Sequence, residues 1–223
     1  SEGLEMDFAI PALNDKVAVY TTRPDTSYGV TFMALAAEHP LIEKICENNP
    51  KAAEIKAFCE KVLAASNNVD ERIYASRRRM SDCGAAIRDP EAMKTALEEI
   101  KEKVRNQSDI ERTSSESEKE GIFTGVHCIN PYTGKTVEIW VTNYVLYDYG
   151  TGAVMGVPTG DQRDWMFAEK YGIDKIVVVQ PKGVNLKLEE MTCAYEEKEG
   201  ELVNSGEFDG MEMHAAMAAI MDK

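Results

Sequence analysis

The 223-residue chain is long enough for one sizeable domain or two small ones. Its 39 acidic and 25 basic side chains give a formal net charge of −14. That balance excludes a surface that grips nucleic acid by neutralising phosphates, but it leaves open an RNA end held in a local pocket. No apolar run approaches the roughly 20 residues that cross a bilayer.

The chain opens with Ser1-Glu2-Gly3, without a Met and without a signal-peptide pattern, as expected of a cut fragment or a processed chain. The cysteines are Cys46, Cys59, Cys83, Cys128 and Cys193. Their odd number and the lack of a C-x-x-C pair argue for free thiols in a reducing cytoplasm, with an organellar source also compatible. His39, His127 and His214 are far apart and give neither a metal-ligand spacing nor a triad signature.

In chain order, the β-branched and aromatic run Lys16–Thr22 predicts a strand that ends in turn chemistry at Arg23-Pro24-Asp25. Thr31–Ala36 predicts a second strand. Pro50–Ser66 predicts a helix, with Ile55, Phe58, Cys59, Val62 and Leu63 on one stripe. Pro90–Arg105 predicts another, with Met93, Leu97, Ile100 and Val104 on one face, and Arg77-Arg78-Arg79 lies between the two. Asn106–Glu120 is polar and Ser-rich, the composition of a loose loop.

Strands then dominate. Val126–Ile129 leads into a turn at Asn130–Gly134, Thr136–Leu146 is long and alternating, and Ala153–Val157 follows Gly150 and Gly152. Asp161–Tyr171 predicts a helix with Asp161 as N-cap and Gly172 just past its end. Lys175–Gln180 predicts a buried strand, and Met213–Met221 a closing helix. There is no internal repeat. The fold class expected is α+β: a single domain over residues 1–223 with a strand-rich, β-barrel-like core, surrounding helices and a helical or flexible insertion at about 73–120.

Two segments can carry chemistry. In Thr21-Thr22-Arg23-Pro24-Asp25-Thr26, hydroxyls crowd a strand end, where they can donate to an anionic tetrahedral centre or hold a water. The same residues also suit a plain strand running into a turn, and composition alone favours that reading. In Tyr149–Pro158 (YGTGAVMGVP), glycines beside a strand allow close approach of a ligand; Asp161 and Asp164 follow at a helix start. First-turn acids are ordinarily caps and dipole partners, and the other possibility is that one of them receives a cationic amine. The glycine pattern is neither a dinucleotide fingerprint nor a P-loop.

These segments, with Tyr28-Gly29, Ala37–Leu41 (AEHPL) and Tyr149–Asp164 (YGTGAVMGVPTGDQRD), resemble the editing domain, connective polypeptide 1, of bacterial-type leucyl-tRNA synthetases. The likeness extends to Ser1-Glu2-Gly3 and Asn204–Phe208 and covers most of the chain outside about Ile73–Glu120. It implies the fold of the class I Val/Ile/Leu editing domains. It also implies hydrolysis of the ester of mischarged tRNA-Leu, carrying isoleucine, norvaline or a similar residue, with water as nucleophile and leucine excluded. A second sieve of this kind is needed because an apolar pocket separates isosteres by only about 1–3 kcal/mol.

By the same resemblance Thr26 obstructs leucine, Met155 and Val157 line the amino-acid pocket, Tyr149 contributes to binding, and Asp164 receives the α-ammonium. Thr21 and Thr22 position water or ester oxygen, and Asp161 caps the helix and orients the loop. Core packing also accounts for Met155 and Val157. Arg23 and Arg163 either touch tRNA phosphate or sugar or form surface ion pairs, and Arg77-Arg78-Arg79 suits a solvated face better than a tRNA contact. Gly160 departs from the family, which often has His there. The implied partners are the 3′ terminal adenosine of tRNA-Leu and the remainder of a synthetase. No metal or cofactor is implied, because ATP serves a synthetic site whose H-I-G-H and K-M-S-K-S sequences are absent here. The competing readings are valyl- or isoleucyl-type editing, and an editing-like domain that positions tRNA without hydrolysis.

Overall fold

A computed structural model of the protein describes residues 3–65, 117–148 and 150–222. The expected helix Pro90–Arg105, the run Arg77-Arg78-Arg79, Tyr149 and most of the expected loop at 106–120 lie outside the described residues.

The chain opens with a strand absent from the expectations above. In β1 (Leu4–Ile10), Met6, Phe8 and Ile10 point into the core while Glu5, Asp7 and Ala9 face out, the period-two alternation of a half-buried strand. A short turn through Pro11–Leu13 returns it, fully paired and antiparallel, as β2 (Asp15–Thr21), which buries Val17 and Val19. The next strand, β3 (Phe32–Leu35), is buried on both faces. It runs parallel to β5 (Thr136–Thr142) and antiparallel to β6 (Ala153–Gly156), which explains its continuous apolar sequence. With β4 (Gly121–Ile129) joining β1 to β5, the sheet order is β2-β1-β4-β5-β3-β6.

The sheet curls without closing. Residues of β2 and β6 come within 8 Å Cα to Cα, yet no ladder joins these two edges among the described residues. The expected barrel is therefore an open, barrel-like sheet. Its main core gathers β1–β6 with α1 (Leu41–Cys46), the helical residues 52–65 (α2) and α4 (Met213–Met221). A smaller, aromatic core fastens α3 (Gln162–Tyr171): Phe167 stacks on Phe32 with ring centroids 5.1 Å apart and meets Trp140 edge-on at 5.3 Å. That contact fixes where the first turn of α3 lies.

Three expected strand bounds change for identifiable reasons. β4 starts at Gly121, ahead of Val126, because Gly121, Ile122 and Phe123 pair with Thr142, Val141 and Trp140 of β5, at a register offset taken up by a bulge before His127. β5 stops at Thr142 instead of Leu146, because the Asn143 side chain accepts from the Glu120 N–H (3.0 Å) and donates to the Glu118 carbonyl (3.2 Å), and Tyr144 and Val145 then turn into the aromatic core. Of Lys175–Gln180, only β7 (Val179–Gln180) is laddered, against β8 (Glu201–Leu202). The carbonyls of Ile176, Val177 and Val178 accept instead from Thr159 Oγ1, Asn204 Nδ2 and the Val203 N–H.

Gly156 sits on β6 opposite Phe32, and a Cβ there would overlap the Phe32 ring, itself held against Phe167. Gly156→Ala is expected to destabilise the fold by about 1–3 kcal/mol through overpacking. Chemical denaturation checks this: a lowered midpoint at constant slope is the expected result, and an unchanged midpoint would contradict the packing described.

Candidate active site

The gap between the β2 and β6 edges opens into a cavity of about 690 Å³. One wall is the end of β2 and the turn beyond it, with Tyr20, Thr21, Thr22, Arg23 and Thr26. The β6 edge and its exit contribute Val154, Met155 and Val157, and Tyr144, Asp161, Arg163 and Asp164 also line the cavity. Nine of the ten residues singled out from sequence thus meet at one cavity: Thr21, Thr22, Arg23, Thr26, Met155, Val157, Asp161, Arg163 and Asp164. The tenth, Tyr149, lies outside the described residues, while its neighbour Gly150 lines the cavity.

Local chemistry explains each placement. After β2 the chain enters a 3-10 turn, Pro24–Gly29, with Pro24 supplying the fixed φ of a helical start. Thr21 Oγ1 accepts from the Arg23 N–H (2.9 Å), so its own proton remains available to an acceptor. Thr26 Oγ1 donates to the Arg23 carbonyl (2.9 Å). With the hydroxyl committed to backbone, the methyl is what Thr26 offers as a steric wall. Across the cavity that methyl lies near Gly160, where an added Cβ would meet it at 3.5 Å and Val157 Cγ1 at 3.6 Å, ordinary contact distances. The turn into β6 uses Gly150 and Gly152 at φ of 64° and 73°, backbone that favours glycine.

The two arginines are held by acids two residues away. Arg23 makes a bidentate pair with the fully buried Asp25 through Nε (3.0 Å) and Nη2 (2.8 Å). Arg163 pairs with Asp161 at 2.7 Å. Ion pairing is therefore the observed state of both.

The acids at the head of α3 divide their work. Asp161 is the N-cap: Oδ1 accepts from the Arg163 N–H (2.8 Å) and the Asp164 N–H (3.3 Å). Burial opposes its ionisation, but the Arg163 guanidinium outweighs that and holds it below the usual carboxylate range. Asp164, in contrast, is buried. Its Oδ2 accepts from the Val157 N–H (2.9 Å) and its Oδ1 from Tyr144 Oη (2.9 Å). Burial, then the neighbouring Asp161 charge, pushes it up to about 7 against the help of those donors and Arg163. The cavity therefore combines a carboxyl raised toward neutrality by burial with apolar side chains and with the threonines at the end of β2. Such a group suits a cationic ligand head beside an apolar side chain. Among the described residues no group of three His, Cys, Asp or Glu side chains gathers as a metal-ligating set.

The family model described as "Leucyl-tRNA synthetase, editing domain" matches residues 1–90 and 75–223. The chain belongs to the leucyl-tRNA synthetase editing-domain family. The match runs through about Ile73–Glu120, where the motifs quoted above gave no likeness. A leucine–tRNA ligase of Symbiobacterium thermophilum is 44% identical over 94% of this chain and 20% of its own length. One of Thermotoga maritima is 43% identical over the same shares, 94% and 20%. In a solved structure, the Agrobacterium radiobacter K84 LeuRS–tRNA–LeuAMS ternary complex, the likeness has a TM-score of 0.52 at 29% identity, covering 84% of this chain and 17% of that one. The chain spans about a fifth of the length of the relatives it matches. Membership of the leucyl family decides against the valyl- or isoleucyl-type alternative.

Sequence reasoning missed Tyr20, Tyr144, Val145, Leu146 and Val154, all of which line the editing-domain cavity. Tyr144 gave no signal because its partner, Asp164, is 20 residues away.

The buried Asp164 makes stability depend on pH. With a folded-state value of about 7 against an ordinary 3.8, its protonated form is favoured by folding; that contribution is full below about 3.8 and is lost as pH rises through about 7. Asp164→Asn carries no charge at any pH. Its melting temperature is expected to rise relative to that of the unsubstituted protein between about pH 4 and pH 7.5, and a difference constant across that range would contradict the burial described.

Proposed function

We propose that this domain performs post-transfer editing within a leucine–tRNA ligase: hydrolysis of the ester between a wrong apolar amino acid, such as isoleucine or norvaline, and the 3′ terminal adenosine of tRNA-Leu. The observation that carries this reading is the buried Asp164 carboxyl set beside the apolar Met155–Val157 wall in a domain of this family.

A mischarged aminoacyl ester presents three features to the cavity: an ammonium, an apolar side chain and an ester carbonyl. Asp164 receives the ammonium in a charge-assisted hydrogen bond, and the arriving cation favours the ionised carboxylate. Met155 and Val157 receive the side chain, and the Thr26 methyl limits its reach, excluding leucine. Thr21 and Thr22 orient a water and donate to the oxygen that becomes anionic when that water adds to the carbonyl. The tetrahedral centre collapses by breaking the ester C–O bond. The amino acid leaves as a carboxylic acid that ionises, and the ribose oxygen takes up a proton that came from the water. No covalent enzyme intermediate is required. The rest of the ligase holds the tRNA body, because a net charge of −14 gives this domain little counterion-release affinity of its own.

The test is deacylation by the full-length ligase carrying this domain, with isoleucyl- or norvalyl-tRNA-Leu beside Leu-tRNA-Leu. Hydrolysis of the wrong esters alone is expected. Asp164→Ala should lower it on the order of a hundredfold, the loss typical of one charge-directed contact in an active site. Thr26→Ala should begin to hydrolyse Leu-tRNA-Leu. A folded, inactive wild type would support instead a domain that positions tRNA without hydrolysis, and a Thr26→Ala variant that still rejects leucine would remove Thr26 from the sieve.

A further inference from the structure

We infer that Tyr144 is a positioning residue for the proposed hydrolysis, its phenol fixing the Asp164 carboxylate in the orientation that receives the substrate ammonium. The inference rests on the editing reading above and adds to it a residue that the motifs do not contain.

An ionised carboxylate has about four lone-pair sites. The Val157 N–H occupies one on Oδ2 and Tyr144 Oη one on Oδ1, each at 2.9 Å. With one donor on each oxygen the carboxylate cannot rotate without breaking a bond, and each oxygen keeps a second site for a donor arriving from the cavity that Asp164 lines. The two donors come from different elements. Val157 belongs to the exit of β6, whereas Tyr144 comes from the bend after β5.

The phenol is placed by packing. Its ring lies 5.6 Å from that of Phe167, and the buried Lys119 ammonium sits over its face at 5.8 Å. Burial, then the Asp164 charge, pushes Tyr144 well above the usual phenol range, so it stays a donor at every pH the enzyme meets. The N-cap Asp161, Arg163 of α3, Tyr144, and behind it Lys119 are the titratable and charged groups around Asp164; Arg23 lines the same cavity and is paired with Asp25. Of these, Tyr144 and Arg163 favour the carboxylate and Asp161 opposes it. Only Tyr144 among these side chains touches it by hydrogen bond.

Tyr144→Phe keeps the ring and removes the donor. In the full-length ligase, kcat/KM for isoleucyl-tRNA-Leu should fall about tenfold near pH 6, as loss of a hydrogen bond to a charged group predicts, and recover only in part above about pH 8, where the carboxylate is ionised but no longer held by the phenol. The acid limb of the profile therefore moves upward, while Leu-tRNA-Leu stays uncleaved; the melting temperature falls by the loss of one buried hydrogen bond, and the variant stays folded at the assay temperature. A profile that superimposes on that of the wild type would overturn the inference.

A second readout does not depend on turnover. Carboxyl NMR titration of Asp164 in the 223-residue chain should show a higher midpoint in Tyr144→Phe, and an unmoved midpoint would likewise overturn it. If the wild-type ligase cleaves nothing while the titration midpoint moves, the editing reading fails and the hold of Tyr144 on the carboxylate stands.

Discussion

The site depends on one buried carboxylate. Asp164 lies in the first turn of α3, where a helix N-terminus favours negative charge, yet it also lies beside Asp161 and away from water. Such a group remains tolerable only if its oxygens are satisfied, and here the Val157 amide and the Tyr144 phenol satisfy them. Those two bonds tie three parts of the chain together: the exit of β6, the bend after β5 and the start of α3. The stacking of Phe167 on Phe32 holds α3 at the height where this closure is possible. Asp161 keeps its charge by pairing with Arg163, so the two acids of one helical turn differ in protonation and in use.

The sheet supplies space by remaining open. A ladder between β2 and β6 would fill the gap that the cavity occupies. Instead, Gly150 and Gly152 turn the chain sharply into β6, and Pro24 turns it away at the end of β2. Each edge then presents side chains to the gap, polar hydroxyls from one side and apolar groups from the other. It is the division that the proposed substrate, an aminoacyl ester with a polar reacting end and an apolar side chain, requires. Thr26 serves both requirements, with its hydroxyl closing the turn onto the Arg23 carbonyl and its methyl left as part of the wall.

Much of this was legible in the sequence where the determining contacts are local. The Asp161 cap, the Gly172 stop at φ 67° and the span of α3 follow from residues within one helix. The threonine-rich strand end is likewise a local pattern, as is the amphipathic stripe on α2. What depends on distant partners was not legible. The alternation of β1 is plain in LEMDFAI, yet its role as the neighbour of both β2 and β4 needs the topology. The bound of β5 depends on the Asn143 side chain capturing the Glu120 N–H and the Glu118 carbonyl while its own N–H still reaches the Glu120 carbonyl, and β7 is short because side chains of Thr159 and Asn204 take carbonyls that a strand would use. Tyr144 reads as one more aromatic in an aromatic strand until the fold sets it against Asp164.

The central claim is that Asp164 is the receptor for a substrate ammonium. The most direct test is a crystal structure of the domain with a non-hydrolysable amide analogue of isoleucyl- or norvalyl-adenosine. The account predicts the α-ammonium within about 3 Å of an Asp164 oxygen, with the side chain against Met155 and Val157. An ammonium bound elsewhere in the cavity, with Asp164 uncontacted between Tyr144 and Val157, would contradict it.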